Sequence, residues 1–313
     1  MTEKDMYDII VVGAGTAGMT AAIYALRAGK SVLLLEKGSC GGQIVNTPTI
    51  DNYPGLPGIS GYEYAERLHQ QILALGAELR FEEATAICTA AEEKQVETAK
   101  AVYSCRAVIL ATGARNRHLG LPQEEELLGR GLSYCAACDG MFFRKQMVAV
   151  VGGGNTALED ALYLANLCEK VYLIHRREGF RGEARLLEQV REKENIELIL
   201  NTVVTALESD AQGLTGLRLR NTVKETKESL AVQGLFVAIG QEPDTAAFSE
   251  LVELDPQGYI AASEDCRTRT PGIFAAGDCR TKVVRQLTTA AADGAVAGLS
   301  AGLSDSLAIG APS

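Results

Sequence analysis

Two stretches of the chain share one pattern of apolar and polar positions. Tyr7 to Val12 is a short, mostly apolar run with Asp8 as its one charged residue, followed at once by Gly13-Ala14-Gly15-Thr16-Ala17-Gly18, an Ala-rich helical pattern to about Ala28 and a second apolar run, Ser31 to Leu35. Met147 to Val151 begins the same series again, with Gly152-Gly153-Gly154-Asn155-Thr156-Ala157, apolar residues at 157, 158, 161, 162 and 165, and the run Val171 to Ile174. Short unbroken apolar runs read as strands buried on both faces, and apolar residues three and four apart read as a helix laid across them. Each stretch therefore predicts a strand, a helix and a second parallel strand. Elsewhere the pattern predicts a helix around Tyr62 to Leu75, short alternating segments through Val102, and two strands that end on glycine. These are Ala107 to Ala111 with Thr112-Gly113-Ala114, and Leu235 to Ile239 with Gly240. From about Leu303 to Ser313 the residues are small and aperiodic, which predicts a frayed tail.

The expected class is α/β, with two pseudo-repeated domains. A length of 313 residues agrees, at roughly 150 residues per domain. The formal charge of −10 lacks the positive field that nucleic acid or an anionic membrane would need, so neither is expected as a partner. The first residues carry no apolar core of a secretory leader, and no run approaches the ~20 residues of a membrane span. The expected location is the cytoplasm.

The glycines give the repeated pattern its chemistry. In a G-x-G-x-x-G turn between strand and helix, the first glycine allows the tight turn and the second lets a pyrophosphate approach the backbone. The third packs helix on strand, while the helix N-terminus supplies partial positive charge. Gly13, Gly15 and Gly18 occupy these places, and Glu36, at the end of the second strand, can accept from a ribose 2′-hydroxyl. Gly152 and Gly154 open the second unit with Asn155 and Thr156, and the position equivalent to Glu36 is His175, followed by Arg176 and Arg177. Two guanidiniums with nearby Arg181 suit a 2′-phosphate, which a carboxylate would repel. The first unit thus suits a nucleotide with a free 2′-hydroxyl, such as FAD or NAD, and the second suits NADP.

Of the eight cysteines, only Cys135 and Cys138 are close in sequence, as Cys135-Ala136-Ala137-Cys138-Asp139-Gly140. Such a pair can close as a disulfide and open as a dithiol, holding two electrons, or it can form half of a zinc site. The zinc reading needs two more ligands, and the scattered cysteines and three histidines offer no second pair; no metal is expected.

Taken in order, these motifs resemble the low-molecular-weight, bacterial-type thioredoxin reductases over nearly the whole chain. The resemblance is carried by GAGTAG at 13 to 18, GGQ at 41 to 43, ATGA at 111 to 114 and CAACDG at 135 to 140. It continues through GGGNTA at 152 to 157, HRR at 175 to 177, and GIFAAGD at 272 to 278 with Arg285-Gln286. It implies two Rossmann-like domains, an FAD domain of residues 1–115 and 246–313 interrupted by an NADPH domain of residues 116–245. FAD contacts are implied at Gly41, Gly42, Gln43, Asn52, Asp278, Arg285, Gln286 and Leu287, and NADPH contacts at the second glycine turn and the His175 to Arg181 segment.

The implied activity passes electrons from NADPH through FAD and a Cys135–Cys138 disulfide to oxidised thioredoxin. Cys138 is the flavin-facing thiol, Cys135 the one that attacks the partner's disulfide, and Asp139 the acid/base. A homodimer is implied, and so is a central domain that swings on connections near 114 to 120 and 241 to 246. Phe142 and Phe143, with Arg130, are candidates for a thioredoxin-docking patch or for core. Departures from the family pattern are small: Ala137 stands where a larger residue is usual, and Gly182 where alanine is usual. A flavin-dependent dithiol oxidase is the nearest rival, and the intact GGGNTA and HRR motifs speak against it.

Overall fold

The computed structural model describes residues 6–47, 49–90 and 93–307. The chain divides into two compact units, one made of the residues up to Arg115 together with those from Glu242 on, the other Asn116–Gln241. The return to the first unit thus falls at 241/242, a few residues before the expected 245. The reason is local. The Asp244 amide donates to the Gly113 carbonyl at 3.1 Å, and its carboxylate accepts from Lys37 and from Arg115, all within the first unit.

The first unit is built around β1 (Tyr7–Val12), whose residues are almost wholly buried. α1 (Thr16–Arg27) leads to β2 (Val32–Leu35), parallel to β1, and α2 (Gly61–Ala74) leads to β3 (Glu78–Arg80). α2 starts cleanly because Ser60 caps it, its hydroxyl accepting from the Glu63 amide at 3.1 Å. β4 (Ala84–Ala90), β5 (Glu93–Thr98) and β6 (Val102–Leu110) follow, and the order across the sheet is β3-β2-β1-β6-β5-β4.

β7 (Ala114–Asn116) opens the crossing to the second unit. Within that unit β8 (Leu132–Ser133) precedes a single turn, α3 (Ala136–Asp139), then β9 (Met147–Gly152), α4 (Asn155–Ala165) and β10 (Lys170–Ile174). α5 (Ala184–Glu192) and β11 (Ile196–Ile199) complete this run. An antiparallel meander of β12 (Thr202–Ser209), β13 (Leu214–Asn221) and β14 (Lys227–Ala231) precedes β15 (Gly234–Ala238). The five-stranded sheet is all parallel, in the order β11-β10-β9-β15-β8. β16 (Gln241–Pro243) pairs with β7, so the two crossings run side by side as a ribbon.

The return segment brings β17 (Ile273–Ala275) alongside β6, and the chain then forms α6 (Leu287–Leu307). Helix therefore covers 303–307, where a frayed tail is expected from the sequence; residues 308–313, also part of that expectation, lie outside the described residues. α6 lies close against α1. A Cβ at Gly294 would stand 2.3 Å from the Ala17 carbonyl oxygen, and one at Gly298 would stand 2.4 Å from that of Ala21. Only glycine permits so close an approach of two helix backbones.

Candidate active site

The first glycine turn is fixed by contact. Gly13 has φ +102°, and a Cβ there would lie 2.4 Å from the Ala111 carbonyl oxygen; one at Gly18 would lie 1.8 Å from that of Gly13. Gly15 differs, because its nearest atom would be the Gly41 carbonyl oxygen at 3.9 Å. The turn is thus closed behind Gly13 and Gly18 and open at Gly15, the N-cap of α1, as a pyrophosphate site requires. Glu36 supports it from the end of β2, accepting from the Ala14 amide at 2.7 Å and the Gly38 amide at 2.8 Å.

Gly41 bridges to Gly15, and its φ of +104° places its own Cβ position 2.5 Å from Ala65. Gly42 follows with φ +66°, while the Gln43 side-chain amide donates to the Ala114 carbonyl. Asn52 donates to the Gln286 side chain at 3.1 Å, which joins two of the expected contact residues across the sequence. Leu287 packs with Ile50, Ile59 and Tyr64. The Arg285 guanidinium stacks over Tyr259 at 4.0 Å and reaches the Asp278 carbonyl at 3.5 Å.

Asp278 sits in the 3-10 turn Gly277–Cys279 directly after β17. Burial raises its carboxyl above the usual value, although Lys282 and Arg285 oppose the shift. Among the described residues, Asp278 Oδ1 and Thr112 Oγ1 are the two buried side-chain oxygens without a hydrogen-bond partner. They follow the ends of two neighbouring strands, β17 and β6. A buried polar atom left unpaired costs about 1–3 kcal/mol, so the site fits a ligand that supplies hydroxyl or amide groups, as the flavin end of FAD does.

The Asp278 turn is held by residues that the sequence reading missed. Asp293, on α6, accepts from the Gly277 amide at 2.9 Å, from Arg280 at 2.8 and 2.7 Å, and from Lys282 at 2.9 Å. Burial alone would raise the Asp293 carboxyl, but the Arg280 and Lys282 bonds outweigh it and hold the group below the usual value. A lone acid in a helix of small residues gave no sequence signal of this cluster.

In the second unit, a Cβ at Gly152 would meet the Ala238 carbonyl oxygen at 2.3 Å, while Gly154, the N-cap of α4, has nothing within 4 Å. The open and closed positions thus repeat those of the first unit. Asn155 and Thr156 are exposed in the first turn of α4, and Asn155 is in reciprocal contact with Glu183: Nδ2 donates to the carboxylate at 3.0 Å and Oδ1 accepts from the Glu183 amide at 2.8 Å. Arg176, Arg177 and Arg181 are exposed, and the Arg181 amide donates to the Gly153 carbonyl at 2.8 Å, tying the cationic loop to the glycine turn.

The side chain of His175, an expected cofactor contact, points inward. Its ring is buried beneath the turn, where a Cβ on Gly153 would come within 2.1 Å of it, and it stacks on Phe180 with centroids 4.8 Å apart. Burial lowers its affinity for a proton, and Nε2 lies 3.1 Å from the Gly179 carbonyl oxygen. The His175 ring thus supports the loop from behind. At Gly182 a Cβ would lie 2.5 Å from Leu158 Cδ1, the end of a side chain that can turn aside.

Cys135 and Cys138 form a disulfide at the start of α3, with their Cα atoms 5.3 Å apart. The Cys138 amide donates to Cys135 Sγ at 3.2 Å, a contact that favours a thiolate there once the pair is opened. Asp139 is the next residue. Burial raises its carboxyl above the ordinary value, against a hydrogen bond from Ser133 that lowers it. Phe142 is exposed, but Phe143 turns inward and packs edge-on against Phe236 at 5.3 Å, so only the first of these aromatics belongs to an exposed patch, with Met141. Arg130 is exposed and donates to the Ala211 carbonyl at 2.8 Å. The other six cysteines are unpaired, and Cys279 is wholly buried.

A disulfide followed by a partly buried acid, in a chain with two open glycine turns between parallel strands, defines a nucleotide-dependent disulfide oxidoreductase. The chain belongs to the pyridine nucleotide-disulphide oxidoreductase family, whose pattern matches residues 7–294. It is 42% identical over 300 residues to a thioredoxin reductase of Listeria monocytogenes, covering 96% of this chain and 94% of the relative. It is 44% identical over 301 residues to a bifunctional thioredoxin reductase/thioredoxin of Mycobacterium leprae, covering 95% of this chain and 66% of that longer one. A solved thioredoxin reductase from Streptococcus pyogenes superposes with a TM-score of 0.93 at 38% identity, covering 97% of this chain and 100% of that one.

Proposed function

We propose that this chain is a thioredoxin reductase that uses NADPH and FAD. The observation that carries the reading is the Cys135–Cys138 disulfide with Asp139 behind it, in the unit that also holds the arginine-flanked glycine turn. FAD, when bound, supplies the chemistry that converts a nicotinamide hydride into an electron pair for a disulfide. Its pyrophosphate belongs at Gly13 to Gly18, its ribose at Glu36, and its flavin end near Gly41 to Gln43, Asn52, Asp278 and Arg285 to Leu287. NADPH belongs at Gly152, Gly154, Asn155 and Thr156, with its 2′-phosphate on Arg176, Arg177 and Arg181.

Opened to the dithiol, Cys135 attacks the disulfide of oxidised thioredoxin and forms a mixed disulfide. Cys138 then attacks Cys135 Sγ, which re-forms the internal disulfide and releases the second thioredoxin thiol. Two protons leave the enzyme thiols and two reach thioredoxin. Asp139 takes and returns them, a task suited to a carboxyl that burial raises above its ordinary value. A fused reductase and thioredoxin in one relative supports this choice of partner.

The unit that carries the disulfide turns on the ribbon of β7 and β16 to serve both half-reactions. Gly113 and Gly240 flank that ribbon with φ +72° and +103° and open space beside each, as a hinge requires. If so, an engineered disulfide between the two units leaves one half-reaction working, and native rates in both would exclude the turn.

The working form is a homodimer joined through the first unit. There α1, α2 and α6 border an open depression of about 820 Å³ that includes Tyr24, Tyr53, Arg67, Ala291 and Ala295. Leu299 continues the Ala291 and Ala295 face and is exposed, as is Tyr24. Sedimentation at twice the chain mass of 33.3 kDa is the expected result. No helix among the described residues is long and apolar enough to cross a membrane. The cytoplasm, where six further cysteines stay reduced, is the proposed location, and cell fractionation tests it.

An anaerobic titration tests the function. The purified protein is expected to be yellow, to bleach with NADPH and to recover its colour on addition of oxidised thioredoxin. Asp139→Asn is expected to slow dithiol formation while flavin reduction stays fast. A colourless protein, or one whose reduced form ignores thioredoxin, would overturn the reading.

A further inference from the structure

Ser133 has no part in the chemistry described so far, yet it stands at the centre of the redox turn. It is the last residue of β8, 2% exposed, and in register with Phe236 of β15. Its Oγ donates to Asp139 Oδ2 at 2.6 Å and accepts from the Cys135 amide at 3.0 Å. The Cys135 carbonyl oxygen lies 3.3 Å from the same Oγ. One hydroxyl therefore touches the acid and both backbone polar groups of the attacking cysteine.

We infer that Ser133 is a positioning residue for proton transfer at the redox pair, holding the Asp139 carboxyl in one orientation in both of its protonation states. The inference rests on the acid/base role proposed for Asp139. A hydroxyl has one proton to give and two lone pairs to receive with, which matches the two states. With Asp139 ionised, the serine donates to Oδ2. With Asp139 protonated, the acid donates to Oγ, and the serine turns its own proton toward the Cys135 carbonyl while still accepting from the Cys135 amide. No donor or acceptor of this set is stranded in either state, so taking up and returning a proton requires only a hydroxyl rotation. The sheet edge holds the serine still, because the Leu235 amide donates to the Gly131 carbonyl at 2.7 Å just before β8.

The groups that can titrate nearby are few. Burial and the Ser133 hydroxyl are the influences on Asp139. α4 packs against α3 and carries Glu159, Asp160 and Tyr163, and burial pushes Asp160 up to about 7. The 3-10 turn Gly140–Phe143 that follows α3 carries no charge.

The test is single-turnover exchange, in which protein reduced with dithiothreitol and desalted is mixed with oxidised thioredoxin across a range of pH. In Ser133→Ala the carboxylate loses its donor. The pH limb that requires an ionised acid then moves to higher pH, and exchange at neutral pH slows about tenfold, a part of the ~10²–10⁴ that a positioned acid/base supplies. Ser133→Thr keeps the hydroxyl and restores the limb. Asp139→Asn removes the limb, and the double variant is no slower than Asp139→Asn alone, whereas a limb due to Asp160 would survive in both.

A native pH profile in Ser133→Ala, or a double variant slower than Asp139→Asn by the factor seen for Ser133→Ala, would overturn the positioning role. An unchanged limb in Asp139→Asn would remove the acid/base reading itself and the serine's role with it. Bound flavin and the near-ultraviolet circular dichroism of each variant confirm that the fold is intact.

Discussion

Asp293 grips Arg280 with two hydrogen bonds, from Nε at 2.8 Å and from Nη2 at 2.7 Å, and both side chains are at most 10% exposed. The same carboxylate takes Lys282 and the Gly277 amide, so it fixes the turn that presents Asp278. Asp293→Ala leaves two buried cations without their counter-charge. The expected cost is about 3–5 kcal/mol of stability, with reduced FAD content after purification. Urea unfolding and the ratio of flavin to protein absorbance measure both. Native values for the two would show that the cluster is dispensable.

Arg176 and Arg177 are exposed at the end of β10, with Arg181 fixed beside the glycine turn by its amide. Charge-assisted bonds to a phosphate are each worth roughly 1.5–3 kcal/mol. Replacing both Arg176 and Arg177 by alanine is expected to lower kcat/KM for NADPH at least about tenfold and to leave NADH use nearly unchanged. An unaltered preference for NADPH over NADH would refute the assignment of the 2′-phosphate.

Phe142 and Phe143 are neighbours with opposite surroundings. Phe142→Ala should raise the KM for thioredoxin roughly tenfold, as an exposed aromatic anchor does, with no change in thermal midpoint. Phe143→Ala removes the ring packed on Phe236 and is expected to destabilise by about 2–3 kcal/mol without a specific effect on KM. Steady-state kinetics with thioredoxin, alongside thermal melts, separate the two; equal behaviour would place both in the same setting.

Burial pushes the Asp160 carboxyl up to about 7, with Glu159 adding to the shift. The folded chain therefore holds this proton more tightly than the unfolded chain does. That contribution to stability is complete below the unfolded carboxylate value and is lost as pH climbs toward about 7. Asp160→Asn cannot ionise, so its stability relative to the native chain should improve by on the order of 2 kcal/mol between pH 5 and pH 8. Melting curves at the two pH values read it directly, and a difference independent of pH would show that Asp160 is ionised throughout.

The parallel strands next to the glycine turns were legible because β1, β2, β9 and β10 are dominated by apolar residues, with only Asp8 and Lys170 charged, and Gly13 and Gly152 allow a turn that no side chain would. α6 was not legible. Its alanines, glycines and serines carry no apolar stripe, because its contact with α1 depends on absent side chains at Gly294 and Gly298. The inward packing of the His175 ring was not legible, since its register with Glu36 says nothing about which side of the turn the ring occupies. Ser133 could not be found from sequence, because a serine before a cysteine pair looks like any linker residue until its distance to Asp139 is known.

The split of the first unit also orders events while the chain is being made. β8 through β15 are contiguous, so every strand of the second sheet has been synthesised by residue 241. The first unit must wait longer. Until β17 and α6 emerge, the last residues of β6, Val108 to Leu110, lack their β17 partner and the small-residue face of α1 is bare. A nascent chain stalled before residue 273 would thus hold one sheet with all its strands and one without β17, and its exposed α1 face is what a chaperone would meet first.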